Sequence, residues 1–310
     1  MARQALRFTQ EVVPGTFPGS PAAGTQTNLR LVGDDAYPGR VAPNLFYVRD
    51  AAGSNRNVAA GAATFKCDGS LSTLLYYSQA KLMLPWACNI ISDGGGSFKP
   101  AYTGTFDHLA QMEDAGPTLI YDRSLGAVCE SVTIRGTNGG DGVKVTFAAT
   151  FKYLGIATIT ATDFPMPALT AYPAGQPVVF EQIAGNFSLG GARTGFRSFE
   201  IQVKHVIDQI YDESAYPQAI KWCGRDVSWK VDMRHRSVAD RAAFNAVTAQ
   251  TASIALTDGT TTITFDFKTN NIISAVTDSQ PLAKAHYQSL DGMVLVDAAA
   301  GTDLAVTVAP

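Results

Sequence analysis

From Phe199 to Val203, and again from Val227 to Met233, apolar side chains take every second position, with Glu200 and Gln202, then Ser228, Lys230 and Asp232, between them. A period of two belongs to a strand with one face buried and the other in water, so these segments are committed to sheets. Phe65, Cys67, Gly69 and Leu71 keep the same period, and Val128, Glu130, Val132 and Ile134 place another run on one strand face.

The connections agree. In "GTNGGDG" (Gly136 to Gly142) the Asn-Gly and Asp-Gly steps supply the positive φ angles of a hairpin leading into the long strand "VKVTFAATFKYLGIA". "SIALTDGTTTITFDF" reads as strand, Asp-Gly turn, strand, and "HYQSLDGMVLVDAAAGTDLAVTVA" predicts one more hairpin at the end. Two short helices are expected. One is "SQAKLMLPWACNI", with Ser78 as candidate N-cap and Pro85 kinking or ending it; the other is "RAAFNAVTA", capped by Ser237 with Asp240 at the acid position of a capping box. The fold class is mainly β with a few short helices, a β-rich α+β chain.

At 310 residues, 46% of them hydrophobic, the chain is long enough for two ordinary domains. Residues 1–62, dense in Gly, Pro, Asn and Asp around "NLRLV" and "NLFYV", read as an extended, loop-rich arm with two short strands that contacts neighbouring subunits. Ile-Tyr-Asp-x-Ser occurs twice, in "LIYDRS" (Leu119 to Ser124) and "QIYDES" (Gln209 to Ser214), each time between strand patterns. That echo predicts two diverged copies of one β unit, at 63–170 and 171–310, meeting near the linker-like "DFPMPALTAYPAGQP".

Composition narrows the function. The formal net charge of -3 excludes a strongly basic nucleic-acid reader and leaves no cationic footprint for a membrane. Charge is uneven: six basic residues face three acidic between Lys221 and Arg241, and six Asp face two Lys from Asp258 onward. Cys67, Cys88, Cys129 and Cys223 lie far apart and read as reduced, small core residues. The first residues hold no apolar leader, which predicts a chain made and kept soluble in a cytoplasm.

No residue set points to catalysis, to a cofactor or to a metal. "DGGGS" (Asp93 to Ser97), "GTNGGDG" and "FSLGGARTGF" (Phe187 to Phe196) lack the Lys and helix of a phosphate loop. His108, His205, His235 and His286 are scattered, and Asp212 and Glu213, adjacent on a strand, would face opposite ways. In "KWCGRDVSWKVDMRHRS" the alternation makes Trp229 a core or interface residue rather than a stacking platform for single strands.

The order of segments resembles the tail tube proteins of long-tailed bacteriophages. The pieces that carry the likeness are "QEVVPGTFPGSP", "NLRLVG", "CDGSLSTLLYYSQAKLMLPWA", "LGAVCESVTIRGTNGGDGVKVTFAATFKYLG" and the closing "YQSLDGMVLVDAAAGTDLAVTVA". The resemblance implies two tail-tube-type β-sandwich or half-barrel units that form a continuous inner β-barrel on oligomerisation. It implies a virion structural protein, assembled in the host bacterial cytoplasm, whose stacked rings let genomic double-stranded DNA pass. Its partners would be further copies of itself and the tape measure, terminator and tail-tip proteins, with no membrane. With duplicated halves, three chains per ring are expected, the alternative being a true hexamer. A tail-tip, distal-tail or terminator protein of the same fold, or a β-sandwich adhesion or carbohydrate-binding module, are the competing readings. Two further expectations follow for a tube: a lumen that is acidic or neutral, supplied by the Asp-rich C-terminal segment, and a basic stretch from Lys221 to Arg241 that faces subunit contacts instead.

Overall fold

A computed structural model of the chain describes residues 3–19, 26–29, 37–49, 57–88, 103–112, 118–137, 144–160, 162–164, 177–180, 186–234, 238–268, 271–279, 287–296 and 302–309. In order, the elements are β1 (Arg3–Gln10), β2 (Gln26–Leu29), β3 (Tyr37–Arg49), β4 (Asn57–Leu74), α1 (Tyr77–Cys88), β5 (Gly104–Met112), β6 (Thr118–Thr137), β7 (Thr146–Lys152) and β8 (Gly155–Thr158). There follow β9 (Phe187–Leu189), β10 (Phe196–Ile210), β11 (Ala219–Arg234), α2 (Ala239–Asn245), β12 (Ala252–Thr257), β13 (Thr262–Asp266), β14 (Asn271–Ser279), β15 (Tyr287–Val294) and β16 (Ala305–Ala309). Mainly β with two short helices is therefore the fold class, and the chain alone closes no barrel among the described residues.

The long strand β6 belongs to two sheets. Its first half pairs with β5 and β8, and through β5 with β1 and β2. At Gly126, where φ is +67°, it bends, and its second half pairs with β7 on one side and β10 on the other. From there an eight-stranded antiparallel sheet runs in the order β3-β4-β7-β6-β10-β11-β15-β14. A separate sheet has the order β9-β12-β13-β16.

Two regularities emerge from these pairings. In the large sheet, β3, β4, β6 and β7 lie in the order first, second, fourth, third, and so do β10, β11, β14 and β15. In the flanking sheets, β1, β5, the first half of β6 and β8 join in the sequence that β9, β12, β13 and β16 repeat. Each helix falls between the second and third strands of its quartet.

Alternation explains the core. Phe199, Ile201 and Val203 on β10 and Val227, Trp229, Val231 and Met233 on β11 are all buried, as are Cys67 and Leu71 on β4. They join Phe106, Phe147, Phe151, Trp86 of α1, and Ile254, Ile263 and Phe265 of the smaller sheet in one cluster. Trp86 donates from Nε1 to the Ala127 carbonyl at 3.0 Å, which seats α1 against β6 beside its bend. Trp229 lies over Gly292 of β15, where a Cβ would sit 2.0 Å from the indole, so only glycine lets the two strands pair there.

Several expectations change. Tyr121 lies within β6, opposite Leu109, whereas Tyr211 follows the end of β10 in a turn, its hydroxyl donating to the Phe65 carbonyl at 3.0 Å. The Ile-Tyr-Asp-x-Ser echo does not mark equivalent positions. Among the described residues, 1–62 hold three whole strands and the start of β4, and β1 buries Leu6 and Phe8 in the chain's own core, so this part of the predicted arm is body. Glu130 leaves the core face because a bulge between Cys129 and Ser131 inserts one extra residue, letting Cys129 and Val132 both point inward. The closing segment makes no hairpin: β15 joins the large sheet and β16 the small one. Asp240 does not cap α2 but accepts from Arg193 at 2.8 Å, and the helix start has no side-chain cap; Ser237 lies outside the described residues.

Candidate assembly surface

The face of the large sheet turned away from the core is polar and ordered in rows. Arg135 stands opposite Glu200, Glu200 opposite Lys230, and Lys230 opposite Asp291, so four charges of alternating sign cross four adjacent strands. Arg135 Nε donates to Glu200 at 2.9 Å and Lys230 lies 3.5 Å from Asp291. The next row on the same face, Ser72, Ala148, Thr133, Gln202, Ser228 and the exposed Met293, carries no charge. Beyond it Lys204 stands opposite Asp226, and Ser131 shares a hydrogen bond of 2.7 Å with Thr150. Lys152 meets the bulged Glu130 at 3.1 Å, and Ser198 donates to Asp232 at 2.6 Å. Such exposed pairs contribute little to stability, but where the two members carry opposite charge each cancels its neighbour's field.

At the two ends of this sheet β3 pairs only with β4, and β14 only with β15, among the described strands, apart from Gln250, which bridges Asn271 at the start of β14. An edge strand offers a row of backbone donors and acceptors to another chain. Eight strands in strict antiparallel alternation leave the two edges running in opposite directions. A second copy can therefore be added at either end without breaking the alternation.

Buried polar groups hold this sheet to the rest of the body. Glu11, 4% exposed, accepts from Thr105 Oγ1 at 2.5 Å and from the backbone N–H groups of Gly126 at 2.9 Å and Gly15 at 2.8 Å. Both glycines have positive φ, so one carboxylate fixes the bend of β6 and the turn after β1 together. This gives the Glu and Gly of "EVVPGT" a physical role that sequence alone did not disclose. Asp107, fully buried, receives Arg123 at 2.6 Å and Arg7 at 3.0 Å, and the two guanidinium groups lie over Phe17 and Phe164.

A second cluster closes the C-terminal end of α1. Arg225 donates to the Cys88 carbonyl and forms a buried ion pair with Asp303, and His205 Nε2 lies 2.8 Å from the Ala87 carbonyl. Trp222 Nε1 donates to His205 Nδ1 at 3.2 Å, which assigns the proton of the neutral ring to Nε2. Cationic donors suit the carbonyl end of a helix. Arg225 and Asp303 are 78 residues apart, and no spacing rule would have joined them.

Of the other residues to which the sequence drew attention, His108 and His205 are buried, while His235 and His286 lie outside the described residues. Asp212 and Glu213 occupy the turn after β10 rather than a strand. Around "FSLGGARTGF", Gly190, Gly191 and Gly195 have positive φ and Arg193 binds the Leu189 carbonyl and Asp240, a turn held by its own side chain. "DGGGS" lies outside the described residues. Cys67, Cys88 and Cys129 are buried, and burial pushes the Cys67 thiol up to about 11 and Cys88 to about 12; Cys223 is exposed, against expectation.

Burial lowers the proton affinity of His108 to about 4 and lowers that of His205, where nearby Arg225 acts in the same direction. Their contribution to stability is present in full above the ordinary imidazole value near 6.5 and is lost as pH falls through the depressed values. Unfolding free energy, followed by urea titration, is expected to drop between pH 6.5 and 5, by roughly 2 kcal/mol for His108 alone. A His108→Gln variant should show a flatter profile; an unchanged slope would contradict a neutral, buried ring.

A family model described as a phage tail tube protein matches residues 1–294 of the chain. No curated protein matches it.

Proposed function

Because the chain belongs to the phage tail tube protein family, we propose that its large sheet joins copy to copy into a ring, and that stacked rings form the conduit for genomic DNA during ejection. Membership itself makes the chain a structural subunit of the virion tail that associates with its own kind and with other tail proteins. The observation that carries the finer reading is the eight-stranded sheet with two open, oppositely directed edges and one polar face. A subunit of this shape makes a heterologous contact, which generates a ring when the rotation closes.

The repeated strand order supports two copies of one unit per chain, the first running from β1 to β8 and the second from β9 to β16. This division replaces the echo as the ground for an internal duplication and assigns β1 and β3 to the first unit. A ring of three chains then has six unit positions. With neighbouring strands ~4.8 Å apart and tilted as in closed barrels, 24 strands, three times eight, give a wall roughly 45 Å across. Six whole chains would double that, far more than one duplex needs. The wall would be neutral rather than acidic. Asp291, Asp266 and Asp303 are each bound to a basic partner, and Lys230, expected to face elsewhere, stands on the lumenal face between Glu200 and Asp291. Catalysis has no part in this role, and the tape measure, terminator and tip proteins are the partners at the tube's ends, met in the host cytoplasm.

Purified protein is expected to form rings or hollow tubes in negative stain, with three chains per ring in a cryo-EM cross-section. Six chains per ring would overturn the stoichiometry, and a persistent compact monomer would overturn the tube.

A further inference from the structure

The chain contains one junction between its two quartets, where β6, the last strand of the first, pairs with β10, the first strand of the second. The strands left at the outer edges are β14, the last strand of the second quartet, and β3, the first strand of the first. We infer that β14 of one chain pairs with β3 of a second copy in the register that β6 and β10 already use within the chain, placing Val276 opposite Val41 and Ala275 opposite Ala42. This rests on the ring reading above and specifies its contact.

Matching irregularities fix the alignment. β6 has one extra residue, Glu130, between Cys129 and Ser131 against β7; β14 has one extra residue, Ser274, between Ile273 and Ala275 against β15. Superposing the bulges sets "CESVT" (Cys129 to Thr133) on "ISAVT" (Ile273 to Thr277), with Val132 on Val276 and Thr133 on Thr277. Bulges are specific local features, and two at the same place in the same strand order are a frame rather than a coincidence of composition.

The frame carries across the sheet. Val132 pairs with Ala149 and Ala149 with Leu71; Val276 pairs with Leu290 and Leu290 with Val231. Leu71 thus matches Val231, and four residues earlier Cys67 matches Val227. The partner of Cys67 is Val41, and the partner of Val227 is Val203. Within the chain Val203 stands opposite Val132. The equivalent contact between chains is Val41 opposite Val276, so a Val–Val pair recurs at the same point of both junctions, flanked by Ala42 and Ala275.

The test uses the full chain with exposed Cys223 replaced by Ser. Ala42→Cys with Ala275→Cys, and separately Val41→Cys with Val276→Cys, are assembled and oxidised. Adjacent antiparallel pairs alternate between the wide and the close kind, so one of the two variants presents the spacing a disulfide needs. The expected result is a non-reducing ladder of head-to-tail chains that ends at one closed ring in that variant, and no ladder from Ala42→Cys with Thr277→Cys, which reports a slip of two residues. Electron microscopy of the same samples separates the two levels. Tubes without either crosslink, or with the slipped one alone, overturn the register and leave the ring; absence of rings from the unaltered chain overturns the ring and the register with it. Hydrogen exchange on the unaltered protein probes the same pairing without any substitution: assembly should protect amides of 274–279 and 37–43, and continued exchange at both in assembled tubes would refute the pairing.

Discussion

Proline at Val276 or at Thr277 is expected to abolish assembly, and in one of the two variants to do so without loss of monomer stability. Consecutive residues of a strand point their N–H groups in opposite directions, so one of these two amides joins the ladder to β15 and the other faces the open edge of β14. Proline removes the donor and adds a ring where the neighbouring strand must approach. At the edge-facing position nothing inside the monomer is broken. At the other, a ladder bond is lost and unfolding becomes easier by about 1–3 kcal/mol. Sedimentation and thermal unfolding of the pair measure both effects, and wild-type yields of tubes from both variants would exclude β14 as an assembly edge.

Asp303→Ala is expected to cost about 3–5 kcal/mol. The side chains of Arg225 and Asp303 are 3% and 4% exposed, so removing the carboxylate leaves a buried guanidinium without its counter-charge. The damage extends beyond the pair, because Arg225 also holds the Cys88 carbonyl at the end of α1, next to His205 and its contact with Ala87. Replacing both partners, as Arg225→Leu with Asp303→Ala, should recover a large part of the loss, since no charge is then left buried. Denaturant midpoints for the single and double variants decide it. A single variant within about 1 kcal/mol of wild type would mean that the pair is open to water.

What the sequence disclosed was face, and what it withheld was partnership. The alternation of Phe199, Ile201 and Val203, and of Val227 through Met233, specifies which side chains are buried, because burial on one face of a strand is a local property. It does not specify which strand lies alongside. β15 and β16 alternate equally well and enter different sheets, so a hairpin drawn between them is a natural misreading. Bulges escape for the same reason: Glu130 fits the alternation and only its pairing with β7 reveals the extra residue. The five-residue echo misleads because identity over so short a span carries no information about position in a fold, whereas the repeat that the strand order shows shares little more than a Val-Thr step between "CESVT" and "ISAVT". For the candidate assembly surface, the polar residues were legible but the opposition of their charges was not. Arg135 and Glu200 are 65 residues apart and meet only because β6 and β10 pair.

The row of Arg135, Glu200, Lys230 and Asp291 reverses sign at every strand, and so repeats about every 10 Å at the usual strand spacing. The potential of a fixed alternation decays exponentially with distance from the surface, over a length equal to the repeat divided by 2π, under ~2 Å. Salt screening alone acts over ~8 Å and would leave a row of like charges felt much farther out. A polyanion held a few water layers from this row would feel almost none of its field, although the row places an ion on each of four adjacent strands. The pairs add little to stability; what their alternation does is keep the field of this face short-ranged.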